Sequence, residues 1–226
     1  MPENLVPLIP AATVVVARDG AAGIEVLMVQ RPERGAFPGF WVFPGGRVDV
    51  EDADPTDPSN NFLAARNAAV REALEETALT VDAEALAYFA EWRPPLTEVK
   101  RFDTFFFLAP AFTGEVKINE GELVDYCWIS PAEALATHGR GDMKFAPPTW
   151  HSLHMLSQHP SLTEAMAWAH EVTVECYTTR AIVTEGQPLV MLWHGDAMYE
   201  SDDANDTGAR HRLVMVRGPW TYERNV

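Results

Sequence analysis

The sequence predicts an α+β domain with mixed strand pairing over residues 1 to about 140. Short β-branched and aromatic runs, bounded by turn residues, occupy much of this region. One long alanine-rich helical segment interrupts those runs, and a second helix start follows them. Strands that lie both before and after a helix in the chain favour one mixed sheet over an all-helical or all-β domain.

Apolar runs between turn signals predict the strands of this domain. The run 12–17 (ATVVVA) ends before the turn Asp19-Gly20, and the run 24–30 (IEVLMVQ) ends before a loop rich in proline and glycine. A brief strand then leads into Pro44-Gly45-Gly46. The predicted strands of the domain cover 12–17, 24–30, 40–43, 85–92, 102–108 and 123–129.

Periodicity and capping residues predict the helices. Leu63, Val70 and Leu74 mark an apolar stripe in the helical segment 62–79, after the acidic loop 49–60. Ser130, followed at once by Pro131 and then by Glu133, is typical of a helix start. Residues 141–226 are predicted to form a helical and β extension that packs on the core as a lid or a dimer element. Its predicted helices cover 148–157 and 161–171, and its strands 172–177, 181–184, 189–194 and 213–216.

Composition excludes several classes of protein. The net charge of −16 argues against nonspecific binding to nucleic acid or to a membrane surface. No apolar run approaches the ~20 residues that span a bilayer, and the first ten residues do not resemble a signal peptide. Cys127 and Cys176 provide neither a disulfide framework nor zinc-ligand spacing. We therefore expect a cytoplasmic protein without nucleic-acid or membrane partners.

Three carboxylates in the long helix are the first sign of chemistry. Glu72, Glu75 and Glu76 stand at positions i, i+3 and i+4, so they share one helical face. Their mutual repulsion would be relieved by a hard divalent cation, which accepts several carboxylate oxygens. A solvated acidic face is the alternative interpretation of the same pattern.

The neighbouring motifs make this segment resemble the Nudix hydrolases, whose box reads Gly-x5-Glu-x7-Arg-Glu-U-x-Glu-Glu-x-Gly-U, with U a bulky apolar residue. The match covers Arg71, Glu72, Glu75, Glu76 and Leu79, with Gly45-Gly46 upstream. Gly46 and Arg71 are 25 positions apart against 14 in the box, so the loop is 11 residues longer. Glu51 and Asp52 lie near the place of the first box glutamate, and neither is assigned. Ala78 stands where the family has glycine.

The resemblance covers roughly residues 12–157 and implies an α/β/α sandwich that hydrolyses a nucleoside diphosphate linked to another group. It also implies a Mg²⁺ or Mn²⁺ cofactor. By resemblance, Glu75 and Glu76 are metal ligands beside the Gly45 carbonyl, and Glu72 is a further ligand or the general base. Arg71 orients the carboxylates. Glu122, or less readily Glu120, completes the site and shares the base role.

Other segments are similar to the coenzyme A diphosphatase-like branch of the family. Leu27-x3-Arg31 and Gly39-x3-Phe43-Pro44-Gly45-Gly46 overlap its coenzyme A signature, although Arg34 falls one residue early. Coenzyme A or acyl-coenzyme A is therefore the substrate we expect. A diphosphatase for ADP-ribose or a dinucleotide and a non-catalytic ligand-binding module remain alternatives.

Three arginines are candidates for binding the substrate's phosphates, namely Arg31, Arg47 and Arg101. A surface arginine in a local ion pair is an equally good interpretation of each. The C-terminal strands and Trp220, expected to be exposed, allow a homodimer.

Overall fold

A mixed β-sheet covered by helices on both faces forms the centre of the molecule. The computed structural model describes residues 6–35, 37–110, 112–201, 203 and 205–226. Within these ranges, eight strands belong to the central sheet and four to a second, antiparallel sheet.

The elements follow one another along the chain in an order close to the one predicted. The helices are α1 (Asn61–Thr77), α2 (Pro131–Arg140), α3 (Pro147–Leu156), α4 (Leu162–Glu171) and α5 (Ala197–Ser201). The first strands are β1 (Leu8–Gly20), β2 (Gly23–Gln30), β3 (Trp41–Val42), β4 (Gly45–Arg47), β5 (Thr80–Val81), β6 (Ala87–Arg93) and β7 (Arg101–Ala109). The remaining strands are β8 (Phe112–Thr113), β9 (Asp125–Ile129), β10 (Glu175–Thr178), β11 (Arg180–Ile182), β12 (Leu189–Leu192), β13 (His211–Met215) and β14 (Thr221–Arg224).

Strand β1 organises the central sheet because it pairs on both sides. It runs parallel to β7, from the pair Leu8 and Arg101 to the pair Val16 and Ala109. On its other side it pairs antiparallel with β4 and then with β2. The sheet order is β10-β6-β7-β1-β2-β3, with β9 on β2 and β4 on β1. The predicted mixed pairing is confirmed.

The two faces of this sheet carry separate apolar clusters. Helix α1 covers one face, where Ala65 and Ala69 pack against strand residues such as Val14. Helices α2, α3 and α4 cover the other face, to which Trp150 and Leu153 contribute. The α/β/α sandwich implied by the family resemblance is confirmed.

The apolar stripe predicted for α1 is partly wrong. Leu74 is 52% exposed, and Leu63 and Val70 are only partly buried. Alanines make the buried face of the helix instead, at positions 64, 65, 68, 69 and 73. Their small side chains let the helix lie close to the sheet, which leaves the bulkier Leu74 on the outer side.

The C-terminal extension packs on the core and also adds a strand to it. Strand β10 pairs parallel with β6 at the edge of the central sheet. Trp193 and Leu213 lie in the same buried cluster as the core residue Phe89. Trp220 is half-buried, with its ring 4.4 Å from that of His138, so the expectation that it is exposed is wrong. The boundary at residue 140 and the homodimer stay predictions.

None of the helices in the described ranges has the length and apolarity needed to cross a membrane.

Candidate active site

The glycine pair at the start of β4 lies directly against α1. The Gly45 amide N–H donates to Glu76 Oε2 at 3.1 Å. A Cβ atom added to Gly46 would collide with the carboxylate of Glu72, and one added to Gly45 would collide with the Ala12 carbonyl. Glycine is therefore required at position 45 for the close approach of β4 to β1, whereas a larger residue at position 46 would displace the Glu72 side chain. The contact runs through the Gly45 N–H, and a ligand role for its carbonyl stays a prediction.

Glu76 is the most deeply buried of the predicted carboxylates, with 2% of its surface exposed. Its Oε1 lies 3.8 Å from Arg31 Nη1. Burial raises the pKa of Glu76 to about 7, because the charged form loses hydration, and the charges of Glu72 and Glu122 act in the same direction. The hydrogen bond from Gly45 and the charge of Arg31 oppose that rise.

Arg71 holds the other two helix carboxylates. Its Nη1 lies 2.9 Å from Glu72 Oε1 and 2.9 Å from Glu75 Oε2. Burial raises the pKa of Glu72, while Arg71 lowers it and the charges of Glu75 and Glu122 raise it further. The guanidinium thus offsets part of the repulsion within the acidic cluster, and the orienting role expected of Arg71 stays a prediction.

Asp52 contacts the other side of the Arg71 guanidinium. The sequence alone did not decide whether Asp52 or Glu51 belongs to the site. Arg71 Nε and Nη2 each donate to one oxygen of the Asp52 carboxylate at 2.9 Å. Asp52 is 5% exposed, whereas Glu51 is exposed. This paired geometry is the strongest that arginine forms with a carboxylate. The inserted loop therefore folds back to support the site.

The loop that follows β8 brings Glu122 to the end of α1. The amides of Lys117 and Asn119 donate to the carbonyls of Thr77 and Glu76 at 2.9 and 3.0 Å, respectively, which satisfies the last turn of the helix. Asn119 Nδ2 also donates to Glu122 Oε1 at 3.5 Å. Glu122 and Glu120 are both exposed, and the charge of Glu122 raises the pKa of both Glu72 and Glu76.

The three candidate phosphate-binding arginines lie in different surroundings. Arg31 reaches the carboxylate cluster through Glu76. The Arg47 side chain is 61% exposed and lies 3.5 Å from Asp49, while its carbonyl accepts from Arg71 at 3.0 Å. Arg101 is 5% exposed and donates to two backbone carbonyls, those of Val6 and Pro94. Its contacts are structural, so a phosphate role for Arg101 gains no support from them.

Comparison with known proteins places this arrangement in a family. The family model of the NUDIX domain matches residues 7–148, which is more than half of the chain. The chain belongs to the NUDIX domain family. Together with the relatives below, this match identifies the protein as a Nudix hydrolase whose substrates contain a nucleoside diphosphate linked to another group.

Known relatives share the domain at low sequence identity. The CTP pyrophosphohydrolase of Escherichia coli K12 is 27% identical over 57% of this chain and 80% of its own length. A NUDIX hydrolase from Alicyclobacillus acidocaldarius is 28% identical, with a TM-score of 0.62 over 72% of this chain and 97% of that protein. The NUDIX domain of Shewanella oneidensis NrtR, solved with ADP ribose, is 19% identical to this chain. Its TM-score is 0.51 over 68% of this chain and 89% of that one. At this identity the likeness supports a shared fold and nothing more.

Nudix hydrolases generally use divalent metal ions, and the donor chemistry of this site suits one. The side chains gathered here offer carboxylate oxygens, which Mg²⁺ and Mn²⁺ prefer, and Gly46 lies in close contact with the Glu72 carboxylate. Among the described residues, however, no three His, Cys, Asp or Glu side chains converge as a metal-binding group. Glu72 and Glu75 contact Arg71 instead. Each of these contacts uses one carboxylate oxygen, and the metal-ligand roles expected of Glu72 and Glu75 stay predictions.

Proposed function

We propose that this Nudix hydrolase cleaves the diphosphate of coenzyme A or acyl-coenzyme A in a Mg²⁺- or Mn²⁺-dependent reaction. The observation that carries the proposal is the position of Glu76, buried between the Gly45 amide and the Arg31 guanidinium. Burying a carboxylate is costly unless it is paired or coordinates a metal. A role in catalysis would explain why the buried Glu76 carboxylate lies near those of Glu72 and Glu75 despite this cost.

In this proposal, different residues bind the metal ion and the substrate, orient the carboxylates and accept a proton. Glu72, Glu75, Glu76 and Glu122, with the Gly45 carbonyl, would hold the metal ion. When bound, the ion supplies charge neutralisation at the diphosphate and lowers the pKa of bound water.

Arg71 keeps Glu72 and Glu75 in place through its two 2.9 Å contacts. Arg31, whose guanidinium lies 3.8 Å from Glu76, is the candidate we favour for binding a phosphate oxygen of the substrate. Glu72 or Glu122 accepts the proton of the attacking water as general base.

The sequence motifs favour coenzyme A as the substrate. Leu27-x3-Arg31 and the Gly39-to-Gly46 segment overlap the coenzyme A signature, and this segment contains both Arg31 and Gly45 of the site. The alternatives also have support, because one relative is a CTP pyrophosphohydrolase and one structure of similar fold was solved with ADP ribose. Products released from coenzyme A, ADP-ribose, CTP and a dinucleotide, each with Mg²⁺ and with Mn²⁺, would distinguish these substrates.

Glu76→Gln tests the hydrolytic site itself. The amide keeps the shape of the carboxylate but removes its charge, so we expect kcat to fall by more than the roughly 10–100-fold typical of residues that only support a metal site. Circular dichroism and thermal melting should show an intact fold. Glu171→Gln, at the exposed end of α4, is the matched control and should retain wild-type kcat.

Removal of metal provides the second arm of this experiment. EDTA should abolish turnover, and excess Mg²⁺ or Mn²⁺ should restore it. Full activity of Glu76→Gln, or activity that survives complete chelation, would refute the proposed mechanism.

A further inference from the structure

Asn119 lies at the point where the loop after β8 meets the end of α1. Its amide N–H donates to the Glu76 carbonyl at 3.0 Å, so it is bonded to the backbone of a residue of the carboxylate cluster. Its own carbonyl accepts from the amides of Glu122 and Leu123 at 2.9 and 2.8 Å, respectively. One residue therefore connects the helix end that carries Glu76 to the chain segment that carries Glu122.

The side chain of Asn119 makes two different contacts within this turn. Its Oδ1 accepts from the Gly121 amide at 3.1 Å. An asparagine or aspartate closes a turn on its own backbone by a contact of this kind. Its Nδ2 donates to Glu122 Oε1 over a longer distance, 3.5 Å. This second contact reaches the carboxylate that is expected to complete the site, and it does not serve to close the turn.

The backbone of Glu122 is held on both sides, whereas its side chain is not. Leu123 is 1% exposed, and the Val124 amide donates to the Gln30 carbonyl at 2.9 Å. The Glu122 side chain itself is exposed, and a glutamate in water moves freely among its rotamers. Among the described residues, the hydrogen-bond donor that its carboxylate contacts is the Asn119 side-chain amide. The direction of the carboxylate thus depends on Asn119.

The turn alone does not require asparagine at position 119. Aspartate and asparagine are both favoured at the first position of such a turn, and acidic residues already stand at 115, 120 and 122. An aspartate at this position would close the turn equally well, but it would place an anionic oxygen against Glu122. The amide offers a donor instead. Asparagine therefore suits a role toward Glu122 as well as one in the turn.

We propose that Asn119 is a positioning residue for the hydrolytic reaction, whose side-chain amide directs the Glu122 carboxylate toward the carboxylate cluster of α1. This inference rests on the proposed function, in which Glu122 binds the metal ion or accepts the proton. The charge of Glu122 raises the pKa of Glu72 and of Glu76, which agrees with a position near both. Asn119 acts through Glu122 and has no contact with the reacting atoms in this scheme.

Asn119→Asp separates the two contacts of the side chain. The new carboxylate still accepts from the Gly121 amide, so the thermal melting temperature should stay at the wild-type value. It loses the donor and repels Glu122, so we expect kcat for the diphosphate that the wild type hydrolyses fastest to fall roughly 10–100-fold. Asn205→Asp, the same change in the exposed loop after α5, is the matched control and should retain wild-type kcat. Wild-type kcat in Asn119→Asp would show that this side chain only closes the turn, and would overturn the proposal.

A double-mutant cycle shows whether Asn119 acts through Glu122. In a Glu122→Gln background, adding Asn119→Asp should lower kcat by at most about twofold, because the group that Asn119 positions has already been removed. If Asn119→Asp lowers kcat equally in both backgrounds, its effect is that of an added negative charge, and the proposal is overturned.

Nuclear magnetic resonance of the metal-free protein gives a readout that does not depend on activity. The side-chain amide signal of Asn119, identified by its absence in Asn119→Asp, should shift in Glu122→Gln and stay nearly unchanged in Glu120→Gln. An unmoved signal in Glu122→Gln would overturn the proposal even in an active enzyme. If Glu122→Gln keeps the wild-type kcat, or the wild type hydrolyses no diphosphate, the proposed function fails in that respect. The positioning role then fails with it, even where the signal shows the contact.

Discussion

Asp52 shows how a residue in the inserted loop becomes part of the site. A short 3₁₀ turn covers Val50–Asp52, and Asp52 Oδ2 accepts from the Asp49 amide at 2.8 Å. This turn directs Asp52 inward to Arg71 and leaves its neighbour Glu51 exposed. The pattern of residues could not separate the two acids, because the separation depends on the path of an insertion without a periodic pattern. The spacing of Asp49 and Asp52, three residues apart, is typical of a capped turn and would have favoured Asp52 over Glu51.

Asp52→Asn is predicted to impair the enzyme by releasing Arg71 from its second anchor. The amide cannot offer two anionic oxygens to the guanidinium, so Glu72 and Glu75 lose their fixed positions. We expect kcat for the preferred diphosphate to fall roughly 10–100-fold and the free energy of unfolding in urea to fall by about 1–3 kcal/mol. Glu51→Gln should match the wild type in both measurements. Equal behaviour of the two variants would show that Asp52 has no positioning role.

The N-terminus of helix α1 is stabilised by a capping residue, whereas its C-terminus carries features that destabilise a helix. Asn60 caps its N-terminus by accepting from the Leu63 amide at 3.2 Å. Its last turns carry Glu72, Glu75 and Glu76, although the C-terminus of a helix favours positive charge. The helix also ends on Ala78 in the left-handed conformation, with φ at 60°. A helix selected for stability alone would not end in this way, so its sequence reflects the site.

Ala78→Gly is predicted to stabilise the protein. A left-handed residue with a Cβ costs roughly 1–2 kcal/mol, part of which glycine recovers despite its greater freedom in the unfolded chain. We expect a gain of about 0.5–1 kcal/mol in the free energy of unfolding, measured in urea. Ala136→Gly, at an exposed interior position of α2, should lose about 1 kcal/mol. A loss in both variants would contradict the strain assigned to Ala78.

The sequence predicted those elements whose signals are local. Ser130 at the start of α2 and Ser161 at the start of α4 each accept a backbone hydrogen bond, as their capping patterns indicated. Strands β4, β5 and β8 span only two or three residues, too few for periodicity to be visible. Leu74 was wrongly assigned to the buried face of α1. The buried face consists of alanines, which are weakly apolar, and a leucine on the opposite face gives a stronger apolar signal in the sequence.

A buried aromatic and histidine cluster unites distant parts of the molecule. His151 of α3 is 1% exposed, and both of its ring nitrogens have no partner in the described part of the chain. Around it lie the rings of Trp92, Tyr177 and Tyr222, at 5.3, 4.8 and 4.7 Å, respectively. These residues come from the core strand β6 and the extension strands β10 and β14. No local pattern could predict such a cluster, because it depends on contacts between residues far apart in the chain.

This cluster makes stability depend on pH. Burial places the pKa of His151 well below 6.5, and the positive charges of His154, His211 and Arg224 add to that effect. The folded chain keeps the ring neutral, while the unfolded chain binds a proton below pH 6.5, so stability falls as pH falls through that region. Each such group contributes up to about 1.4 kcal/mol per pH unit.

Urea unfolding at pH 7.5, 6.0 and 5.0 measures this dependence. His151→Leu should reduce the loss of stability between pH 7.5 and 5.0. His170→Leu, whose parent ring is exposed at the end of α4, should leave the loss as in the wild type. An unchanged slope in His151→Leu would show that the buried ring is not responsible.

The pairing of β10 with β6 also has a consequence for how the chain reaches its folded state. Cys176 and Glu91, bonded across these strands, are 85 positions apart in the sequence. Until residues 175–178 arrive, β6 is the outer strand of the sheet, with a row of amides and carbonyls open to strands of other chains. Contacts between distant residues also form slowly. The extension thus completes the sheet late, and a nascent or truncated chain that lacks it is exposed to self-association along β6.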